Sequence, residues 1–467
     1  MAHLLAARGV GRGERITLLG ENSLATVVLF FGVQRYGATL NPVNVEVNGA
    51  NLAAILADVG PALVLASRDL PAETREVVRA SGVPTLAFGD LLDGTPGDDL
   101  GARLGGLPAS PCPKLVGPPD FAVIDYTSGT TSRPKGVCLS PRAFVHGCAS
   151  PAERFEVLAG ERILEYRSMT WASPQLLSIG GPLLTGATLV LGRKFSATRF
   201  FDWIRDHRVT IAVGVPTVLN MLLDRPVALT AADVPTLKYM TSSAAPLNSE
   251  RQREFERRYG IRIVQGCGMT EGGWMAGNPP SAPRLGSIGP AMRHIQARFV
   301  DEAGVPRPPG EEGELMVSGP QMASAYLSDG GRLDPIPQDG FRSGDLGHMD
   351  ADGYIFLTGR KKDLIIRGGV NIAPMEITTV LLTHAGVAEA VTIGVPDAVY
   401  GEAVVSFVAA RAGQRVTPAE MLAHCRARLS AFKIPEHVIV VPAIPRTDRG
   451  KVAREALESL WRATLTP

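Results

Sequence analysis

A chain of 467 residues exceeds what one hydrophobic core ordinarily covers, so roughly three units of about 150 residues are expected. Lys+Arg 47 against Asp+Glu 46 leaves a net charge of +1, which argues against a bulk basic field for nucleic acid and against an acidic tail. Five scattered cysteines (Cys112, Cys138, Cys148, Cys267 and Cys425) lack metal-ligand spacing and favour reduced thiols in a cytoplasmic protein over a disulfide framework.

Along the chain, 1–20 carries arginines but no continuous apolar run, so no secretory signal is expected. Residues 15–19 read as a strand, and Ser23 caps a helix running to about Tyr36. Its apolar run, 24–33, is too short to span a bilayer. Residues 61–66 and 83–88 read as further strands. The apolar run Phe121-Ala122-Val123-Ile124 reads as a buried strand leading into Thr127-Ser128-Gly129-Thr130-Thr131-Ser132-Arg133-Pro134-Lys135-Gly136. That loop gathers hydroxyls, two glycines and two cations, which is what a polyphosphate needs. A flexible Ser/Thr/Gly linker has no need of a buried strand before it. A Walker A loop needs Gly-Lys followed by Ser or Thr, whereas here the lysine stands in Pro134-Lys135-Gly136.

The stretch 176–192 is apolar but broken at Gly180-Gly181-Pro182 and Gly186, and reads as a buried helix followed by a strand at 188–191. Residues 209–215, 237–241 and 261–264 read as strands; Pro216 opens one helix, and Asn248 caps another over 249–259 that Gly260 ends. This alternation argues for parallel sheets covered by helices. After about residue 280 the helices stop. Strands at 298–301, 313–318 and 354–358, with turns at 301–304 and 350–353, predict a small antiparallel, barrel-like region. From Asp363 onward, helix 374–383, strands 388–395 and 403–410, helix 418–429 and strand 437–441 form an α+β unit of domain size.

Five more segments have unusual chemistry. They are Ser242-Ser243-Ala244-Ala245-Pro246-Leu247, Gln265-Gly266-Cys267-Gly268-Met269-Thr270-Glu271, Phe341-Arg342-Ser343-Gly344-Asp345, Gly359-Arg360-Lys361-Lys362-Asp363 with Ile365 to Ile372, and Pro445-Arg446-Thr447-Asp448-Arg449-Gly450-Lys451. Each alone is weak, since a glycine at a strand end is usually only a turn. In this order, with the hydroxyl loop, the constellation resembles the AMP-forming adenylate ligases: acyl-CoA synthetases, non-ribosomal adenylation domains and beetle luciferases. The resemblance covers nearly the whole chain. The Thr-Ser-Arg-Pro-Lys-Gly form of the loop and Lys194 to Phe200 look most like the crotonobetaine/carnitine-CoA ligase branch.

The resemblance implies an α/β fold, with a large adenylate-forming domain over 1–361 that contains a β-rich subdomain at about 281–361. A mobile α+β lid over 362–467 would hinge at Lys362. It implies an ATP- and Mg²⁺-dependent acyl-CoA ligase: a carboxylic acid becomes an acyl-adenylate with release of pyrophosphate, then passes to the CoA thiol with release of AMP. Thr127, Ser128, Gly129, Thr130, Thr131 and Lys135 would hold the phosphates; Glu271 would bind Mg²⁺. Thr270 would bond the α-phosphate region. Ala244, Ala245, Gln265 and Gly266 would form the adenine slot, and Asp345 and Arg360 would bind the ribose. Lys451 would be the adenylating lysine. Gly368 and Gly369, with Arg367, would approach the pantetheine arm of CoA. For each, the plain reading is a solvated side chain or a turn, and the match of the surrounding residues favours function.

Some positions depart from the family pattern. Cys267 stands where an adenine-stacking aromatic is usual, Ser132 replaces a glycine, and Trp171 and Met169 replace a histidine-containing acyl-pocket segment. The chain begins after the first portion usual in the family, which leaves two readings: a misassigned start or a naturally abbreviated first subdomain. Two rivals remain: an enzyme that loads a carrier-protein phosphopantetheine, and a degenerate homologue that binds nucleotide without adenylating. Nothing argues for a luciferase-type oxygenase. Neither nucleic acid nor a membrane span is expected; a homodimer is allowed, and the acid is not specified.

Overall fold

The computed structural model describes residues 1–89, 100, 104–108, 110, 121–126, 134–446 and 452–465. Among these residues the strands form four sheets. The first runs, edge to edge, through Arg332–Pro335, Ala325–Ser328, Gly136–Leu139, Val123–Tyr126, Thr39–Val43, Arg15–Leu19, Leu63–Ser67 and Thr85–Phe88. Its last five strands pair in parallel and its first three antiparallel. Apolar runs buried on both faces are what such covered parallel strands require. Polar pins fix the strands laterally: Thr17 Oγ1 donates to Asn41 Oδ1 (3.1 Å), and Asn41 Nδ2 donates to the Ile124 carbonyl (2.9 Å).

The second sheet, in order Gly273–Gly277, Ile263–Met269, Tyr239–Ser242, Ile211–Ala212, Arg162–Glu165 and Thr188–Leu191, is parallel except for its terminal hairpin. Helices enter where capping chemistry allows. Ser23 Oγ accepts from Thr26 N at the start of Leu24–Tyr36, and Gly37 ends that helix in the left-handed region at φ 101°. Asn248 caps Ser249–Tyr259 in the same way, and Gly260 ends it at φ 68°. One core cluster unites the two sheets, running from Leu5 and Ile16 to Trp274 and Leu315.

The third sheet is wholly antiparallel: Gly289–Pro290, Tyr354–Arg360, Phe341–Met349, Gly313–Ser318 and Gln296–Val300. It is an open sheet rather than the expected barrel-like closure. Residues 325–335 leave this region altogether and pair with Gly136–Leu139 in the first sheet. The fourth sheet joins Val370–Ile372, Ile365–Arg367, Gly401–Ala410 and Val387–Asp397, with His437–Val440 alongside Gly401–Ala410, and it has cores of its own.

The segment 176–192 also differs from expectation. Gln175–Gly180 is a π-helix, and the following helix, Gly181–Thr185, exposes Leu183 and Leu184 instead of burying them. The expected strand over 209–215 shrinks to Ile211–Ala212. Among the described residues, no helix is long and apolar enough to cross a membrane.

Candidate active site

The strands Val123–Tyr126 and Gly136–Leu139 pair antiparallel, with Tyr126 opposite Gly136, so they bracket the hydroxyl loop. Thr127, Ser128, Gly129, Thr130 and Thr131 lie outside the described residues. Gly136 has a packing reason of its own: a Cβ there would come within 2.8 Å of Ile124 and 3.1 Å of the Tyr126 ring. Lys135 is described and exposed; its Nζ stands 5.5 Å from the centroid of the Tyr326 ring.

Tyr326 was not foreseen as a site residue. Its strand pairs with Gly136–Leu139, and its Oη donates to Glu271 Oε1 at 2.9 Å. Burial, followed by the Glu271 charge, pushes the Tyr326 phenol well above its ordinary value, so it remains a donor. Thr270 and Glu271 occupy the tight turn joining Ile263–Met269 to Gly273–Gly277. Ala323 N donates to the Glu271 carbonyl (2.7 Å), and Gln321 Nε2 donates to the carbonyls of Gly272 and Trp274 (2.6 Å each). The turn is therefore held from below while both side chains stay half-buried.

A second charged group sits on a strand pair of the third sheet. Asp345 and Arg360 face each other across the Phe341–Met349/Tyr354–Arg360 pair, with Arg360 Nε 2.8 Å from Asp345 Oδ1. Asp345 is buried (6 % exposed), while Arg360 is open (51 %). Burial raises the Asp345 carboxyl above its ordinary 3.8; Arg360 and the Ser343 hydroxyl oppose that shift only in part. Cys267 lies within the field of this pair, and its thiol is pushed up to about 12, chiefly by burial and then by Asp345. A thiol held protonated at neutral pH is not a nucleophile. Gly344, at φ 75°, turns the backbone between Ser343 and Asp345. Ser343, Gly344, Arg360, Lys361 and Lys362 line a cleft of about 320 Å³ there.

The expected adenine-slot residues divide. Ala244 and Ala245 are exposed just beyond the strand Tyr239–Ser242, and Ala244 holds φ 71° without being glycine. Such strain is more common at functional sites than elsewhere. Gln265 is buried, and its side-chain Nε2 donates to Gln252 Oε1 (2.7 Å) on helix Ser249–Tyr259. Its main-chain carbonyl accepts from the backbone N–H (2.9 Å) and the side-chain Nδ2 (3.2 Å) of Asn278. Gly266 is required by packing, since a Cβ would stand 2.7 Å from the Trp274 ring and 2.8 Å from Phe155.

On the other side of this sheet end, Arg167 and Glu165 form a buried fork: Nε to Oε1 at 3.0 Å and Nη2 to Oε2 at 2.7 Å. Ser178 of the π-helix donates to the same carboxylate, and Arg167 reaches Ser173 and Ser243. Buried Met169 is pinned through its backbone N–H by Asn22 Oδ1, and Trp171 precedes the short helix Ala172–Pro174.

Lys361–Asp363 forms a 3₁₀ turn between the third and fourth sheets. Lys361 Nζ pairs with Glu314 (3.3 Å), and exposed Lys362 eases the charge of Asp345. Gly368 (φ 56°) and Gly369 (φ 81°) make the two-residue turn from Ile365–Arg367 to Val370–Ile372, the backbone a type I′ hairpin needs. This turn is held by its own neighbourhood: Gly368 N donates to the Tyr400 carbonyl, and Arg367 lies over the Tyr400 ring and pairs with Glu436. Lys451 falls outside the described residues, but the ends of its segment meet at the Arg446–Val452 bridge. Beyond the turn at 361–363, Arg411 joins the two halves through Glu254 (3.1 Å), and a crevice of about 780 Å³ opens between Glu314, Leu346, Asn371, Met375 and Lys433.

Residues 1–327 match the AMP-binding enzyme model, and 376–451 match the AMP-binding enzyme C-terminal domain. The chain belongs to the AMP-binding enzyme family. It is 35 % identical to sulfoacetate–CoA ligase of Cupriavidus necator over 456 residues, covering 96 % of this chain and 88 % of that one. It is 33 % identical to indoleacetate–CoA ligase of Aromatoleum aromaticum, covering 98 % and 91 %. Its fold superposes on ATP-bound MatB of Rhodopseudomonas palustris with TM-score 0.91 and 28 % identity, covering 99 % and 92 %. Against apo MatB the TM-score is 0.80.

Proposed function

We propose that this chain is an ATP-dependent acyl-CoA ligase. A substrate carboxylate oxygen attacks the α-phosphorus of ATP, and the bond to pyrophosphate breaks. The CoA sulfur, having given up its proton, then attacks the acyl carbon and AMP departs. What supports this reading most is one hairpin, Ile263–Gly277, that carries Glu271 and comes close to the Asp345–Arg360 pair of the third sheet. Glu271, with Tyr326 and Lys135 beside it, is at its tip, and Cys267, near Asp345–Arg360, is below.

In this reading the Asp345 carboxylate, paired with Arg360, accepts hydrogen bonds from both ribose hydroxyls; an ionised carboxylate has acceptor capacity for two. Arg360, more than half open, keeps donors for the same sugar. Lys135 and the hydroxyl loop 127–131 hold the β- and γ-phosphates. Ala244 and Ala245, with the backbone of Gln265 and Gly266, border the adenine. Thr270 bonds the α-phosphate region. Glu271 would hold Mg²⁺, and the donor set fits: a hard cation takes one or two carboxylates and is completed by substrate phosphates. When bound, Mg²⁺ neutralises phosphate charge. Among the described residues no three of His, Cys, Asp and Glu converge on one point, so such a cation would be held chiefly through its nucleotide.

Lys451 donates to the α-phosphate, where charge develops. Residues 1–361 form the nucleotide-binding domain, and 362–467 swing about Lys362, the kind of single position that absorbs a large φ/ψ change. The swing would bring Gly368 and Gly369 toward the pantetheine arm. The test is thioester formation from a panel of carboxylic acids with ATP, Mg²⁺ and free CoA. Acid-dependent acyl-CoA with matching AMP release is expected; acyl-adenylate that builds up with no transfer to free CoA would contradict the thiol-acceptor step.

A further inference from the structure

Six tyrosines have a defined hydroxyl partner among the described residues, and five of them donate to main-chain carbonyls. Tyr36 donates to Val10, Tyr166 to Val213, Tyr239 to Phe155, Tyr259 to Leu222 and Tyr354 to Ala282. That is the ordinary way a largely buried phenol is satisfied. Tyr326 alone donates to a carboxylate, Glu271 Oε1, and its ring face meets the Lys135 ammonium. One aromatic side chain therefore touches the anionic and the cationic group that flank the proposed polyphosphate site.

Resting on the acyl-CoA ligase reading, we propose that Tyr326 is a positioning residue that orients the Glu271 carboxylate for the nucleotide-bound divalent cation. Tyr326 is the only hydrogen-bond partner of that carboxylate among the described residues. A donor on Oε1 fixes the plane of the carboxylate and leaves Oε2 as a pure acceptor. Outer hydrogen bonds of this kind orient metal ligands, and their loss typically lowers metal affinity or activity about 10–100-fold.

The tyrosine is itself well fixed. Residue 326 lies opposite Val137 in the strand pair, two positions from Lys135, and its side chain packs on the cluster of Val137, Leu139, Ala143, Ala323 and Ile336. Ala323, three residues earlier on the same segment, bonds the Glu271 carbonyl. Backbone and side chain of Glu271 are thus both tied to the segment that carries Tyr326. Because 325–335 pairs in the first sheet, the strand that carries Tyr326 lies beside Gly136–Leu139, which follows Lys135 directly.

The experiment compares wild type with Tyr326→Phe, which keeps the ring and loses only the hydroxyl. Mn²⁺ binding is read by electron paramagnetic resonance in the presence of α,β-methylene-ATP, and AMP binding is read separately in EDTA. The expected result is about 10–100-fold weaker Mn²⁺ binding, with metal-free AMP binding within twofold of wild type. Mn²⁺ binding within twofold of wild type overturns the proposal and leaves the ligase reading standing. Equal losses of Mn²⁺ and metal-free AMP binding also overturn it, because they mark a general structural role. Wild type that binds no Mn²⁺ with the analogue overturns both.

Discussion

Replacing Asp345 with asparagine separates a binding role from a structural one. The carboxylate is buried, and burial is the largest influence on it, raising its carboxyl above the ordinary 3.8 despite Arg360. The sign follows directly. Between the unfolded and the raised folded value the native state holds more protons, so stability falls as pH rises through that window. At neutral pH the charged side chain therefore costs the fold free energy rather than supplying it. Arg360 is 51 % exposed and can be hydrated when its partner is lost. Asp345→Asn should consequently change stability by no more than about 1 kcal/mol in either direction. Nucleotide binding should respond very differently. A hydrogen bond to a charged group contributes about 1.5–3 kcal/mol, so each lost ribose contact should lower kcat/KM for ATP roughly 10- to 150-fold.

The assay is acid-dependent ATP–pyrophosphate exchange, run with ATP and with 2′-deoxy-ATP, beside thermal melts. Wild type should discriminate strongly against the deoxynucleotide, and Asp345→Asn weakly. The acid limb of the wild-type profile should lie above the ordinary aspartate range and vanish in the variant. A variant that melts many degrees lower while keeping wild-type kcat/KM would refute the reasoning, and so would unchanged discrimination.

Three other outcomes are expected. Cys267→Tyr supplies a ring for adenine, and stacking contributes about 1–3 kcal/mol per base, so the KM for ATP should drop about fivefold or more; an unchanged KM would count against Cys267 bordering the base. The Cys267 thiol, pushed up to about 12, should resist iodoacetamide at pH 7.5 in the native protein, and rapid alkylation mapped to that residue would contradict the raised value. Arg411→Ala breaks the pair with Glu254, whose carboxyl lies below its ordinary value because Arg411 and Arg251 together outweigh its burial. Both side chains are about 30 % exposed, so the coupling in a double-mutant cycle with Glu254→Gln should be about 0.5–1 kcal/mol. Because Glu254 is charged above its lowered value, the coupling should fade as pH drops through the carboxylate range; a pH-independent coupling would exclude the ion pair as its source.

Much of the site was legible because its parts are local. A glycine-hydroxyl loop between two strands, or an acid just past a glycine, can be read from neighbouring residues alone. The parallel sheets were equally readable from apolar runs broken by Ser23- and Asn248-type caps. What could not be read depends on pairing across long separations. Tyr326 acquires its role only because its strand sits beside Gly136–Leu139, some 190 residues earlier. The apolar composition of 176–192 does not distinguish a π-helix from an α-helix, nor show that Leu183 and Leu184 would face outward. Gly266 looked like a nucleotide-slot glycine, yet Trp274 and Phe155 would exclude a side chain there in any case. The amide of Gln265 turned out to serve Gln252, a residue that carries no motif.

The central claim is that a carboxylate is adenylated here with help from a lysine in the C-terminal segment. Carboxylate-dependent ATP–pyrophosphate exchange in wild type and Lys451→Ala tests it most directly. Removing a donor aimed at developing charge costs about 100–1000-fold. The account predicts exchange in wild type with at least one acid and a loss of that size in the variant, with AMP binding intact. Full exchange activity in Lys451→Ala would contradict it.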